Sequence, residues 1–239
     1  MNVTIPSLIQ RFQGHIRVLL VDDDEKLLNT LSDMLDSPVL DITTASSSQE
    51  ARKIIQKQKG RVPWHCWVLD IAMEHENSGI KMIEEFSTFP FVIILSGLGS
   101  MSIASQAIQA GAMRVIDKNP SLLDEVSEEV AKIGAMGYLL NGTGSQYLHI
   151  FNLLHKKMYR HAYEWADDAC VSTRQLQRIC QLHNKWATKE NLTLYYILSF
   201  LAGRSKEEAI AFFDDGEDLR KRPEREFMRF CLERAEVLP

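Results

Sequence analysis

Between residues 16 and 136 short apolar runs alternate five times with segments of helical apolar spacing, and nothing else in the chain restricts its fold as much. The runs are IRVLLV (16–21), VLDITTA (39–45), HCWVLDI (65–71), FVIILS (91–96) and MRVID (113–117). IRVLLV is continuously apolar, as a strand buried on both faces should be. Helices are predicted between and after them at 25–36, 48–60, 79–87, 101–112 and 121–136. Ser48 is the expected N-cap of the second helix and Gly60 its stop. Five βα units in succession predict an α/β fold, a doubly wound (βα)5 unit on a five-stranded parallel sheet with helices on both faces. In such folds the working site lies beyond the carboxyl ends of the strands.

The residues at those ends carry chemistry. The first strand ends in Asp22-Asp23-Asp24, the third in Asp70, the fourth in Ser96-Gly97 and the fifth in Asp117-Lys118. Carboxylates gathered on one edge repel each other and call for a cation. Oxygen donors and retained water suit a hard divalent ion, Mg2+. One carboxylate can then accept a phosphoryl group, whose oxygens the Lys118 ammonium and Ser96 hydroxyl can hold.

On these residues the chain resembles the response-regulator receiver domain of two-component signalling, over about 14–138. VLLVDDDE supplies the acidic pair Asp22 and Asp23; WVLDIAM supplies the phosphoacceptor Asp70; IILSG supplies the switch residue Ser96; VIDKNP supplies Lys118. The resemblance implies that Mg2+ is held by Asp23, Asp70 and the backbone carbonyl of Ala72, with Asp22 acting through water. It also implies a sensor histidine kinase as phosphodonor and homodimerisation on phosphorylation. Val115 stands where the family carries an aromatic switch residue, and the loop after Asp70 has Glu74 in place of a proline and is one residue longer.

From residue 147 onward no strand pattern remains, and an all-helical output domain is expected at 147–239, joined through NGTGS (141–145). Charge divides the same way. Residues 1–138 hold 12 Lys and Arg against 18 Asp and Glu, whereas 156–189 hold seven basic residues against three acidic ones. That local excess points to a different partner from that of the acidic half. No apolar run approaches the about 20 residues that cross a membrane, and a cytoplasmic location is expected. The four cysteines lack metal or redox spacing and are expected to be buried thiols. No nucleophile–base–orienter set is present, so no enzymatic output is expected.

Residues 162–183, AYEWADDACVSTRQLQRICQLH, fit a helix-turn-helix. Ala166 is the small residue at the crossing, Trp165, Leu176 and Ile179 face inward, and Cys170 sits in the turn where glycine is usual. Ser172 and Gln175 form a capping box, which starts a helix at Thr173. Thr173, Arg174, Gln177, Arg178 and Gln181 then face outward, with Arg suited to guanine edges and Gln to adenine edges. Lys156, Lys157, Arg160, Lys185 and Lys189 are candidate phosphate contacts. STRQLQRIC with the later NLTLYYILSFLAGR resembles the AraC-type helix-turn-helix, which implies DNA as partner and transcription regulation as function. A complete AraC-type domain carries a second such unit; none is recognisable in 205–238, where Asp214, Asp215, Glu217 and Asp218 cluster, so that half is degenerate or the resemblance partial. The alternative is a helical protein-binding module that does not touch DNA.

Overall fold

The computed structural model describes residues 15–57, 64–86 except 74 and 76, 91–97, 101–140, and 148–203 except 158, 160 and 184. Five parallel strands, β1 (Ile16–Val21), β2 (Leu40–Ala45), β3 (Cys66–Asp70), β4 (Val92–Ser96) and β5 (Arg114–Asp117), pair in the order β2-β1-β3-β4-β5. The helices α1 (Glu25–Met34), α2 (Ser48–Lys57), α3 (Ser78–Glu85), α4 (Met101–Ala110) and α5 (Leu122–Leu140) follow the strands in turn. Helices α1 and α5 pack together, as do α2, α3 and α4 in a row. That is the two-sided covering that right-handed crossovers produce when the chain first moves one way from β1 and then the other. Strands β3 and β4 are buried at every position, as their unbroken apolar runs require.

Two local expectations change. The cap of α2 is Ser47, whose Oγ accepts the Glu50 N–H at 3.1 Å while the Glu50 carboxylate accepts the Ser46 N–H at 2.8 Å; Ser48 is already helical. The proposed stop at Gly60 lies outside the described residues. The last helix of the α/β unit also runs past its expected end at 136 to Leu140. Gly137 there is a packing device: a methyl group on it would sit 1.8 Å from the His65 carbonyl oxygen, so only glycine lets α5 press onto the approach to β3.

His65 itself is buried, accepts the Arg17 N–H on Nδ1 at 2.9 Å and meets the Tyr138 ring edge-on at 5.2 Å. Burial, with the nearby Arg17 charge, pushes its pKa down to about 3. An unfolded histidine titrates near pH 6.5, so below that pH the unfolded chain binds more protons and the fold loses stability as pH falls towards about 3. Denaturant unfolding of the native chain and His65→Asn should therefore diverge on acidification. Between pH 7 and 5 the native chain should lose about 2 kcal/mol relative to the variant.

After α5 come α6 (Leu148–Lys156), α7 (Ala162–Asp168), α8 (Thr173–His183) and α9 (Thr188–Ala202), with no strand among the described residues. This region does not form a separate core. Helix α9 packs along α5, α6 also touches α5, and the Ser37 hydroxyl, between α1 and β2, donates to the Leu201 carbonyl at 2.8 Å. Phe151, Trp165 and Tyr195 belong to the same buried cluster as the sheet residues, as the inward placement of Trp165 requires. No helix among the described residues is long and apolar enough to cross a membrane.

Candidate functional site

The carboxyl edge of the sheet gathers the predicted residues. Register sets Asp70 beside Leu95 and Ser96 beside Asp117, and Asp22 follows Val21, the partner of Leu69. Strand order reverses between β2-β1 and β3, and the two acids flank that point. Carboxylate oxygens of Asp22, Asp23 and Asp70 lie within 4.8 Å of one another. Asp22 and Asp70 are buried and Asp23 is exposed. The Lys118 N–H donates to the Ser96 carbonyl at 2.8 Å, and its ammonium then reaches Asp22 Oδ2 at 2.9 Å and Asp70 Oδ1 at 3.0 Å. Gly79, on α3, supports the far side: a methyl group there would fall 2.3 Å from the Asp70 carbonyl oxygen.

Burial raises the Asp70 carboxyl above its usual range, opposed by Lys118 and reinforced by Asp22; the Ala72 N–H also favours its charged form. Burial acts to lower Lys118, but hydrogen bonding and attraction to Asp22 and Asp70 outweigh it and hold the ammonium above its ordinary value. Asp22 and Asp70 share one ammonium while Asp23 stands beside them without it, and the buried Asp22 Oδ2 accepts no well-directed hydrogen bond despite its contact with Lys118. Residual negative charge on an all-oxygen donor set fits a hard divalent cation. Ser96 is buried at the end of β4, and Val115 is half-buried on the edge strand.

The second candidate surface is α8. It begins at Thr173, with Gln175 N donating to Ser172 Oγ at 3.2 Å and Ser172 N to Gln175 Oε1 at 2.8 Å, so the capping box is present. Leu176 and Cys180 are buried and Ile179 half-buried, while Thr173, Arg174, Gln177, Arg178 and Gln181 are all exposed. The turn before it explains the unusual cysteine. Cys170 N–H donates to Asp167 O at 2.9 Å and Val171 N–H to Ala166 O at 3.0 Å, which is the paired closure of a Schellman motif with Cys170 at the left-handed position, φ 54°. The expectation of a buried thiol fails here, because that backbone turns the side chain into solvent; Cys66 and Cys180 are buried as expected, and Cys231 lies outside the described residues. Cys170→Gly should stabilise the chain by about 1 kcal/mol in denaturant unfolding, since glycine adopts this conformation without strain.

The basic rim is smaller than the sequence suggests. The Lys157 ammonium is paired with Asp168 at 2.8 Å, and Tyr159 OH donates to the same oxygen at 3.0 Å, which together hold Asp168 below the usual carboxylate range. Lys157 is therefore one half of an exposed ion pair. Lys156, Lys185 and Lys189 are exposed, and Arg160 lies outside the described residues. Tyr163 is exposed and stacked on His161 at 5.3 Å; as an aromatic inside an apolar-spaced helix it carries no sequence signal that sets it apart from the core.

Residues 18–131 match the response regulator receiver domain family, and this part of the chain is such a domain. Two curated relatives match across it. One is a putative NtrX-like response regulator of Rickettsia bellii, 33% identical over 107 residues, 43% of this chain and 22% of that protein. The other is the transcriptional regulatory protein TdiR of Thauera aromatica, 31% identical over 121 residues, 48% of this chain and 51% of that protein. The chain thus spans about half or less of the length of these relatives. A receiver domain of a Francisella response regulator is similar at 25% identity and a TM-score of 0.44, over 50% of this chain and 97% of that one.

Proposed function

We propose that the chain is a phosphorylation-controlled response regulator of transcription, with its receiver at 14–138 and its output region at 147–239. In this reading Asp70 accepts a phosphoryl group from a sensor histidine kinase: an Asp70 carboxylate oxygen bonds to phosphorus as the phosphorus–nitrogen bond to the donor imidazole breaks. The observation that carries it is the convergence of Asp22, Asp23, Asp70 and Lys118 at the switch point of the sheet. Asp23, Asp70 and the Ala72 carbonyl would hold Mg2+, which when bound neutralises and orients phosphoryl oxygens. Asp22 holds Lys118, and Lys118 and Ser96 receive the new phosphate oxygens. The helix-turn-helix at 162–183 presents Thr173, Arg174, Gln177, Arg178 and Gln181 to the major groove, and phosphorylation favours a homodimer whose two helices meet half-sites about 34 Å apart.

Footprinting of the DNA upstream of the gene for this protein should show a protected site that strengthens when acetyl phosphate and Mg2+ are added. Absence of protection at every salt concentration tried would refute the DNA reading. The acids of α7, one of which pairs with Lys157, favour a second reading, a protein-binding output that presents the exposed Tyr163 and Leu182. Under it, duplex DNA binds without site preference.

A further inference from the structure

The burial of α5 goes beyond what one helix face can supply. Ile133 to Gly137 are five consecutive buried residues, more than a full turn, so the helix is covered on all sides there. The sheet covers one side, where Gly137 lies against His65 and Gly134 against Ile16. Helix α9 covers the other, reaching Ala131 at its end through Gly203. Helix α9 is in turn covered twice. It contacts α7 and α8 as well as α5, and Leu194, Leu198 and Leu201 are wholly buried. The buried Ser37–Leu201 hydrogen bond fixes its far end to the segment between α1 and β2. Asn191, also wholly buried, donates to the Trp186 and Ala187 carbonyls and so fixes the connection from α8 into α9.

We infer that α9 locks the output helices onto the receiver as one cooperative unit, so that phosphorylation acts on α8 without releasing it from α5. Packed cores move between discrete arrangements and do not stretch. A unit built this way passes the state of the carboxyl edge to α8 by a shift of α5 and α9 together, or by pairing two whole units. Among the described residues the output helices are packed on the receiver and not tethered to it as a freely rotating domain. This inference rests on the proposed phosphorylation of Asp70 for its regulatory part, and on packing alone for its structural part.

The geometry provides a direct test. A Cβ on Gly203 lies 3.6 Å from the Ala131 Cβ, within the range a disulfide spans. In the full chain carrying Cys170→Gly and Cys231→Ser, the pair Ala131→Cys and Gly203→Cys should cross-link under mild oxidation at the same rate with and without acetyl phosphate and Mg2+. The oxidised protein should keep whatever phosphorylation-dependent DNA affinity its reduced form shows. Slowing of the cross-link by about tenfold or more on phosphorylation would overturn the inference. So would a DNA response that disappears on oxidation and returns on reduction. If neither form responds on DNA, the transcription reading fails while the cross-linking rates still decide this one. Calorimetry decides the structural part without phosphorylation. A single transition should appear, lowered as a whole by about 5–15 °C in Leu198→Ala. Two transitions of which only one moves would sink the inference.

Discussion

Asp70→Asn is expected to abolish labelling of the chain by acetyl phosphate in the presence of Mg2+, down to the background of the assay. Asparagine keeps the size and shape of the side chain and removes the anionic oxygen that would attack phosphorus. Its neutral amide also weakens any hold on a divalent ion, because only two of the three charged donors remain. The fold should tolerate the change. Asp22 and Asp70 share one ammonium in a buried setting, so the wild-type site carries repulsion that the variant relieves, and its melting temperature should be unchanged or raised. That control matters, since unlabelled protein that is also unfolded would say nothing about the acceptor. Full labelling of a folded Asp70→Asn chain would refute the assignment and make the exposed Asp23 the next acceptor to test.

Most of the α/β unit was legible because its signals are local. Unbroken apolar runs marked the buried strands, and acids or a lysine directly after them marked the site, since parallel topology brings every strand end to one edge. The capping box at Ser172 and Gln175 likewise depends on four successive residues, and the helix begins where it predicts. What was hidden depends on distant partners. The need for glycine at 137 is hidden until the His65 carbonyl is set against it. Lys157 reads as a free cation until Asp168, eleven residues on, is folded back to meet it. The docking of α9 on α5 was invisible for a related reason: an apolar helix announces that it will be buried, not against what.

Replacing Arg174 and Arg178 together with alanine is expected to cost about 100-fold or more in affinity for a preferred duplex site and to leave weak, sequence-independent binding. Both side chains are exposed on the outer face of α8, one turn apart, where a helix laid in the major groove would bring them to base edges. A bidentate arginine–guanine contact accounts for about 1–3 kcal/mol of discrimination, and two such contacts account for the expected drop. The variant should fold normally, because Leu176 and Cys180 carry the inner face of the helix and Ser172 with Gln175 carries its start. Lys189→Ala provides the contrast. That lysine is exposed, and removing its ammonium from a backbone phosphate should weaken binding to all sequences alike and lower the salt dependence by about one counterion. If the double arginine variant keeps its site preference, α8 does not read bases. If it merely binds every duplex less tightly by the same factor, the basic face serves an acidic partner of another kind. The protein-binding reading then gains the exposed Tyr163 and Leu182 as its contact surface.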